Sequence, residues 1–313
     1  MKWIKEKTSI DFLSRTPRRT AMGIAIASMV ISIALLATRG LEFGIDFTGG
    51  ILMEVAYPEA ADIDRIRELM DEAGFAEVQV QGFGAETDVL LRLPPQPEAD
   101  ADSVRETLSG TLAADQPAVE IRRVEFVGPQ VGEDLREQGA TAMIFATVMI
   151  FVYVMFRFQW KFAIGAVASL IHDIIVLLGF FAAFGWQFDL TVLAALLAVI
   201  GYSLNDTVVV FDRVRENFAA LRGVSSEQVI NQSLNDTLSR TIMTGFTTLL
   251  VLTILYFVGG ETLGPFSLAL IIGVLIGTYS SIYVASATSL YLGITAQDLL
   301  PPEKDPRLVD DLP

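Results

Sequence analysis

Apolar positions in this chain are gathered into long uninterrupted runs, and polar positions into the gaps between them. The runs cover residues 21–37, 139–156, 162–184, 190–211, 241–258 and 266–292. Five approach or exceed the ~20 residues that cross a bilayer as helix, and one is slightly short of it. Lipid offers no partner to a backbone N–H or C=O, so runs of this kind are predicted to be helices that satisfy their own hydrogen bonds. The first is read as an uncleaved anchor: about 20 polar residues precede it and no small-x-small cleavage site follows.

Between the first two runs lies the one long polar segment, 39–138, and there the periodicity changes. Residues 51–57 are β-prone, and 61–73 place Ile63, Ile66 and Met70 on one helical face. Val78 with Val80, and Val89 with Leu91 and Leu93, alternate at period two. Val104, Leu108 and Leu112 mark a second helix, and 119–127 a last strand whose alternation slips at Arg122 and Arg123, which predicts a bulge. Strand–helix–strand–strand–helix–strand is the ferredoxin-like order. The expected fold is therefore an α-helical membrane protein of six transmembrane helices with an inserted α+β ferredoxin-like external domain. The expected boundaries are a cytoplasmic N-terminus (1–20), helix 1 (21–38), the external domain (39–138), helices 2–6 (139–292) with a cytoplasmic 4–5 loop (212–240), and a cytoplasmic acidic tail (293–313).

Charge placement gives the orientation. Lys2, Lys5, Lys7, Arg15, Arg18 and Arg19 precede the first run, Arg157 and Lys161 lie between the second and third, and Arg213, Arg215, Arg222 and Arg240 lie in or beside the 4–5 loop. The short loops 185–189 and 259–265 hold no Lys or Arg. The positive-inside rule then sets both termini inside and the large loop outside.

Composition sharpens the picture. Of 313 residues 52% are hydrophobic and 19% charged, with a formal charge of −15; about a quarter charged is usual for a soluble domain. Residues 39–137 hold 22 acidic residues against 8 arginines, which accounts for −14 of that charge. A single soluble enzyme domain and a basic nucleic-acid binder are both excluded. The acidic domain reads first as a solvated surface, with repulsion of anionic lipid or attraction of basic partners as the sharper alternative. The acidic run from Glu98 to Asp102 reads as the start of a helix. With no cysteine there is no disulfide, thiolate nucleophile or cysteine-ligated metal.

Ionisable side chains inside apolar runs cost about 2.5–3.5 kcal/mol each at the bilayer centre and require a reason. His172, the chain's one histidine, and Asp173 sit mid-way along the third run. Asp206 lies six residues before Asp212, roughly 9 Å from the inner edge at 1.5 Å per residue. Asn205 beside it adds an amide, and Arg240 opens the fifth run. The static alternatives are a snorkelling Arg240, a permanently paired Asp206 and a neutral His172 capping Asp173. The functional reading is a protonatable carboxylate opposed by a cation. Burial and a nearby arginine act on it in opposite senses, so movement of Arg240 would load and unload a proton. No phosphate loop, Ser/His/Asp motif or metal cluster is visible, so no enzymatic activity and no cofactor beyond the proton are expected. Gly165, Gly179, Gly201, Gly245, Gly273 and Gly277 suit close helix packing. Residues 212–237 read as an amphipathic helix broken near Gly223, a connector rather than a coupling surface.

Four segments carry a family resemblance. They are Phe43-Gly-Ile-Asp-Phe-Thr-Gly-Gly50, Ile171-His-Asp173, Asn205-Asp-Thr-Val-Val-Val-Phe-Asp-Arg-Val-Arg-Glu-Asn217 and Leu238-Ser-Arg-Thr241. Together they resemble the SecF family of protein-export membrane subunits. The resemblance implies half of an RND-type bundle in the bacterial inner membrane, paired with SecD. It implies use of the proton motive force to draw unfolded preproteins outward after SecA and the SecY/SecE/SecG channel, with YajC and YidC as further candidate partners. The family's transport carboxylate and arginine fall on Asp206 and Arg240, with Asn205 and Thr207 as supporting polar groups; His172 and Asp173 match the pattern with a role open between relay and packing. Gly44, Asp46, Gly49, Gly50, Asp212, Arg213, Arg215 and Asn217 are motif positions of structural kind, Gly49 and Gly50 shaping the turn into the first external strand. The alternatives are a small-molecule or lipid exporter subunit of the same superfamily, and a passive assembly factor.

Overall fold

The computed structural model describes residues 9–75, 77–83, 85–95, 101–221 and 223–298. In chain order these form α1 (Arg15–Thr38), β1 (Glu42–Phe43), α2 (Ile45–Thr48), β2 (Gly50–Ala56), α3 (Ile63–Glu72), β3 (Gln79–Phe83), β4 (Ala85–Leu93), α4 (Ala101–Asp115) and β5 (Glu120–Val127). Then come α5 (Pro129–Arg157), α6 (Trp160–Phe184), β6 (Gln187–Phe188), α7 (Leu190–Ala220), α8 (Ser226–Val258), α9 (Gly260–Ser280), a π turn (Ser281–Ala285) and α10 (Ser286–Tyr291). The chain divides into an external unit (Glu42–Ala142 with Gln187–Leu193) and a helical unit made of the remainder.

In the external unit β2–β5 form one antiparallel sheet of order β3-β4-β2-β5, the ferredoxin-like arrangement that the periodicity predicts. Alternation puts Ile51, Met53, Val55, Val89, Leu91 and Leu93 on one face, where Ile66, Leu69 and Met70 of α3 and Val104, Leu108 and Leu112 of α4 cover them. Each such side chain contributes about 1.5–3 kcal/mol on burial. Asp62 caps α3, its Oδ1 accepting from the Asp64 and Arg65 N–H groups at 3.1 Å. The expected bulge is present: Glu54 faces Arg123 and Val55 faces Ile121, leaving Arg122 as the extra residue. Residues 96–100, most of the acidic run, lie outside the described residues, and α4 starts directly after them.

Gly49 and Gly50 have φ of +74° and +124°. A Cβ on Gly50 would overlap the Leu93 carbonyl oxygen, and one on Gly49 would sit 2.8 Å from Pro129 Cα. Two glycines are thus what lets β2 enter the sheet so tightly against β4 and the start of α5. A second, two-stranded sheet pairs β1 parallel to β6, and Asp46 of α2 accepts the Leu190 N–H at 2.9 Å, capping α7 together with Asp189.

Six helices of the described residues are long and apolar enough to cross a membrane. Half of the apolar window of α6, of α7 and of the α9–α10 span is buried, against 11–17% for α1, α5 and α8. The first three are therefore the interior of the helical unit, and the others present apolar faces outward, including Ile24, Phe145, Phe246 and Phe257. Small residues set the approach distances. Gly179 abuts Ser32 of α1, Gly165 abuts Ala285 and Ser289, and Gly273 and Gly277 abut Val199 and Ser203 of α7.

Helix ends depart from the apolar runs. α1 starts six residues before the run at 21, since Pro17 in a first turn forfeits no hydrogen bond. α5 starts at Pro129 rather than 139, whereas the 4–5 segment is mostly helix, interrupted between Ala220 and Ser226, as the reading of 212–237 as a helix broken near Gly223 expects. That interruption holds Gly223 at φ +79°, and Ser225 caps the next helix through the Gln228 N–H. A polar stretch continues a helix when nothing in it terminates one, and hydropathy is blind to that. Of the acidic tail, residues 299–313 lie outside the described residues.

Candidate functional site in the helical unit

Two carboxylates are buried among the helices, and their surroundings are opposite in kind. Asp173 is 1% exposed and every oxygen is engaged. His172 Nδ1 lies 3.1 Å from Oδ1, and Oδ2 accepts from Ser203 Oγ at 2.6 Å and Ser280 Oγ at 2.8 Å. His172 Nε2 in turn meets Ser28 Oγ at 3.3 Å. Side chains of α1, α6, α7 and α9 thus close on one carboxylate. The sequence shows no Ser/His/Asp motif, yet the fold assembles a serine–histidine–aspartate chain of hydrogen bonds. Its protons can be arranged in two ways. If Ser28 donates to His172, the ring is neutral; if Ser28 donates to the Ala25 carbonyl, 2.8 Å away, Nε2 must carry a proton to keep its contact.

Ser280 and Ser281 are consecutive, and a straight α-helix would turn them 100° apart. A π turn begins at Ser281, and both serines are buried, each against different neighbours. Ser280 reaches Asp173, while Ser281 Oγ lies 2.9 Å from Thr207 Oγ1 and reaches the Ser203 carbonyl at 3.3 Å.

Asp206, the neighbour of Thr207, is 4% exposed, but its Oδ2 has no hydrogen-bond partner among the described residues. Arg240 of α8 is the charge that acts on it, and it does so without an ion-pair contact inside 4.0 Å. Arg240 is exposed on the surface of the helical unit, and so is Asn205, whose predicted support of Asp206 takes no hydrogen-bonded form here. Asp206 and Arg240 thus form no ion pair in this structure.

The remaining motif residues of α7 fasten helices together. Asp212 takes Arg157 at 3.1 Å and Arg215 at 2.9 Å; Arg213 holds Asp236 of α8 at 2.7 Å; Asn217 donates to Ser233 at 2.9 Å and Asp236 at 3.1 Å. Gly44, Asp46, Gly49 and Gly50 belong to the external unit, where burial pushes the Asp46 carboxyl above its ordinary range. Sequence reasoning missed Ser28, Ser203, Ser280 and Ser281, because a serine in an apolar run is indistinguishable from a small packing residue until its partner is known.

A search for known families matches residues 107–295 to "Protein export membrane protein SecD/SecF, C-terminal" and residues 34–57 to the "SecD/SecF GG Motif". The chain belongs to the SecF family. It is 48% identical over 297 residues to the protein translocase subunit SecF of Pseudomonas aeruginosa, covering 95% of this chain and 96% of that one. To SecF of Escherichia coli O157:H7 it is 43% identical over 286 residues, 90% and 87% of the two chains. Among solved structures it is similar to SecDF of Thermus thermophilus, a translocon-associated membrane protein, at a TM-score of 0.83 and 33% identity. That match takes in 93% of this chain but 39% of the SecDF chain. A SecDF structure in a super-membrane-facing form matches over the same shares with a TM-score of 0.69.

Proposed function

We propose that this chain is the SecF-type subunit of a proton-driven export motor, in which protonation of Asp206 is coupled to movement of the external domain. The observation that carries the reading is the contrast between the two buried carboxylates. Asp173 is saturated by three side chains, so a change in its charge would strand their donors. Asp206 is as deeply buried but keeps a free oxygen, with a cation in reach and no bond that holds it there. A group of that kind exchanges a proton; a group like Asp173 holds helices together. His172 and Asp173 then belong to packing rather than relay.

The rest of the proposal follows from the family. SecD supplies the remainder of the bundle, as the 39% coverage of SecDF suggests, and the pair acts on unfolded preproteins late in their passage through SecY/SecE/SecG with SecA. The chain lies in the bacterial inner membrane with both termini inside, and it transports rather than catalyses. The fall in TM-score from 0.83 to 0.69 at equal coverage and identity supports a rearrangement in this part of SecDF. The test is proton uptake into proteoliposomes holding the chain with its SecD under an imposed pH gradient. Native complex takes up protons, and the Asp206→Asn complex does so at least tenfold more slowly; equal rates would exclude Asp206 as the proton site.

A further inference from the structure

Buried polar side-chain atoms in folded proteins nearly always have a partner, and those left without one mark water, strain or function. Among the described residues, three such atoms belong to α7 and α8: Asp206 Oδ2, Tyr202 OH and Thr241 Oγ1. Tyr202 is one helical turn from Asp206 on α7, on the side toward Leu190. Thr241 follows Arg240, the charge that acts on Asp206. One turn beyond Thr241, a Cβ on Gly245 would lie 3.8 Å from the Tyr202 hydroxyl, so the phenol reaches across to α8. The only side chains near that added Cβ are Tyr202 and Thr278 of α9, and neither is closer than 3.8 Å.

Tyr202 and Asp206 are thus one turn apart on α7, and Thr241 is one turn from Gly245, the residue of α8 that the phenol meets. Each of the three atoms is shielded from bulk solvent, and a buried polar atom left unpaired is destabilising. A polar site with several convergent partners is the setting in which buried water is held.

We propose that Tyr202 and Thr241 are positioning residues for Asp206, their hydroxyls holding the water through which its free oxygen is hydrogen-bonded. This rests on the proton-site reading of Asp206. From Leu193 to Gly201, the turns of α7 beyond Tyr202 carry no polar side chain, so the phenol is the first polar side chain met along α7 from Leu193 toward the carboxylate. Among the described residues, the charged group that acts on Asp206 is Arg240 on α8, and the titratable group one turn away on its own helix is Tyr202. From α6, the Asp173–His172 pair closes on Ser203, and the end of α9 and the π turn present the serines already described.

The test is infrared difference spectroscopy of the purified complex with SecD, titrated with pH. The Asp206 carboxylic-acid band is assigned by its loss in Asp206→Asn. Tyr202→Phe and Thr241→Val each remove one hydroxyl and little else, and assembly is checked by co-purification with SecD and by melting temperature. Either variant is expected to move the band's titration midpoint by about one pH unit, a tenfold change in proton affinity, and to shift its frequency. Should one variant fail to assemble, the other carries the test. A band that titrates as in native protein in the assembled variants would overturn the assignment of Tyr202 and Thr241 while leaving Asp206 as the proton site. If native complex yields no titrating Asp206 band, the proton-site reading and this inference fall together.

Discussion

At the scale of single residues, the number of bonds a carboxylate accepts separates structure from exchange. Asp173→Asn replaces an acceptor with a donor that must face two serine hydroxyls or the histidine, which costs about 1–3 kcal/mol. The purified protein is expected to melt several degrees lower, whereas Asp206→Asn, with no direct protein partner to lose on Oδ2, melts as native. Equal losses in the two variants would contradict the distinction. Asp46 offers a second case, outside the membrane. Burial raises its carboxyl above the ordinary range, against the pull of the Leu190 N–H, so folding favours its neutral form. Its contribution is full below the ordinary carboxylate pKa and is lost as pH rises through the folded value. Asp46→Asn keeps the acceptor for Leu190, so the variant should be at least as stable as native at neutral pH and lose that advantage on acidification. Melting curves from pH 4 to 8 read this directly, and a gap that does not change with pH would refute it. Charges inside apolar runs announced Asp206, Arg240, His172 and Asp173 in the sequence. What each one touches was hidden, because the serines around Asp173 come from helices up to 150 residues away in the chain.

At the scale of elements, periodicity was a sufficient guide wherever one face of an element is buried. The sheet and both covering helices of the external unit follow from it, down to the bulge at Arg122. It misjudged the starts of α1 and α5, whose polar turns lack a terminating residue, while the helix read over 212–237 with a break near Gly223 is present in α7 and α8. The π turn has no periodic signature at all, since it changes the hydrogen-bond step of the backbone and not the hydropathy of the helix. The glycine pair before β2 is the opposite situation, where sequence identity alone states the backbone requirement. Gly50→Ala would combine a Cβ at φ +124° with overlap of the Leu93 carbonyl, costing more than about 2 kcal/mol. Faster proteolysis within the external unit and a lower melting temperature are the expected readouts; a variant as resistant as native would show that β2 can shift to accommodate it.

At the scale of the whole molecule, three helices form a packed interior while α1, α5 and α8 keep apolar faces outward, and Arg240 and Asn205 lie exposed. A subunit whose buried carboxylate Asp206, the proposed proton site, is acted on by an exposed arginine is suited to completion by a second set of helices, which is the role proposed for SecD. The account's central claim is that Asp206 couples the proton gradient to export. The most direct measurement is gradient-dependent export of a preprotein in membrane vesicles carrying this chain with its SecD, native against Asp206→Asn, with both subunits quantified by blotting. The account predicts that the stimulation of export by the gradient disappears in the variant while both subunits remain assembled. Export in the variant that still rises with the gradient as in native vesicles would contradict it, and would leave Asp206 a packing carboxylate in a passive scaffold.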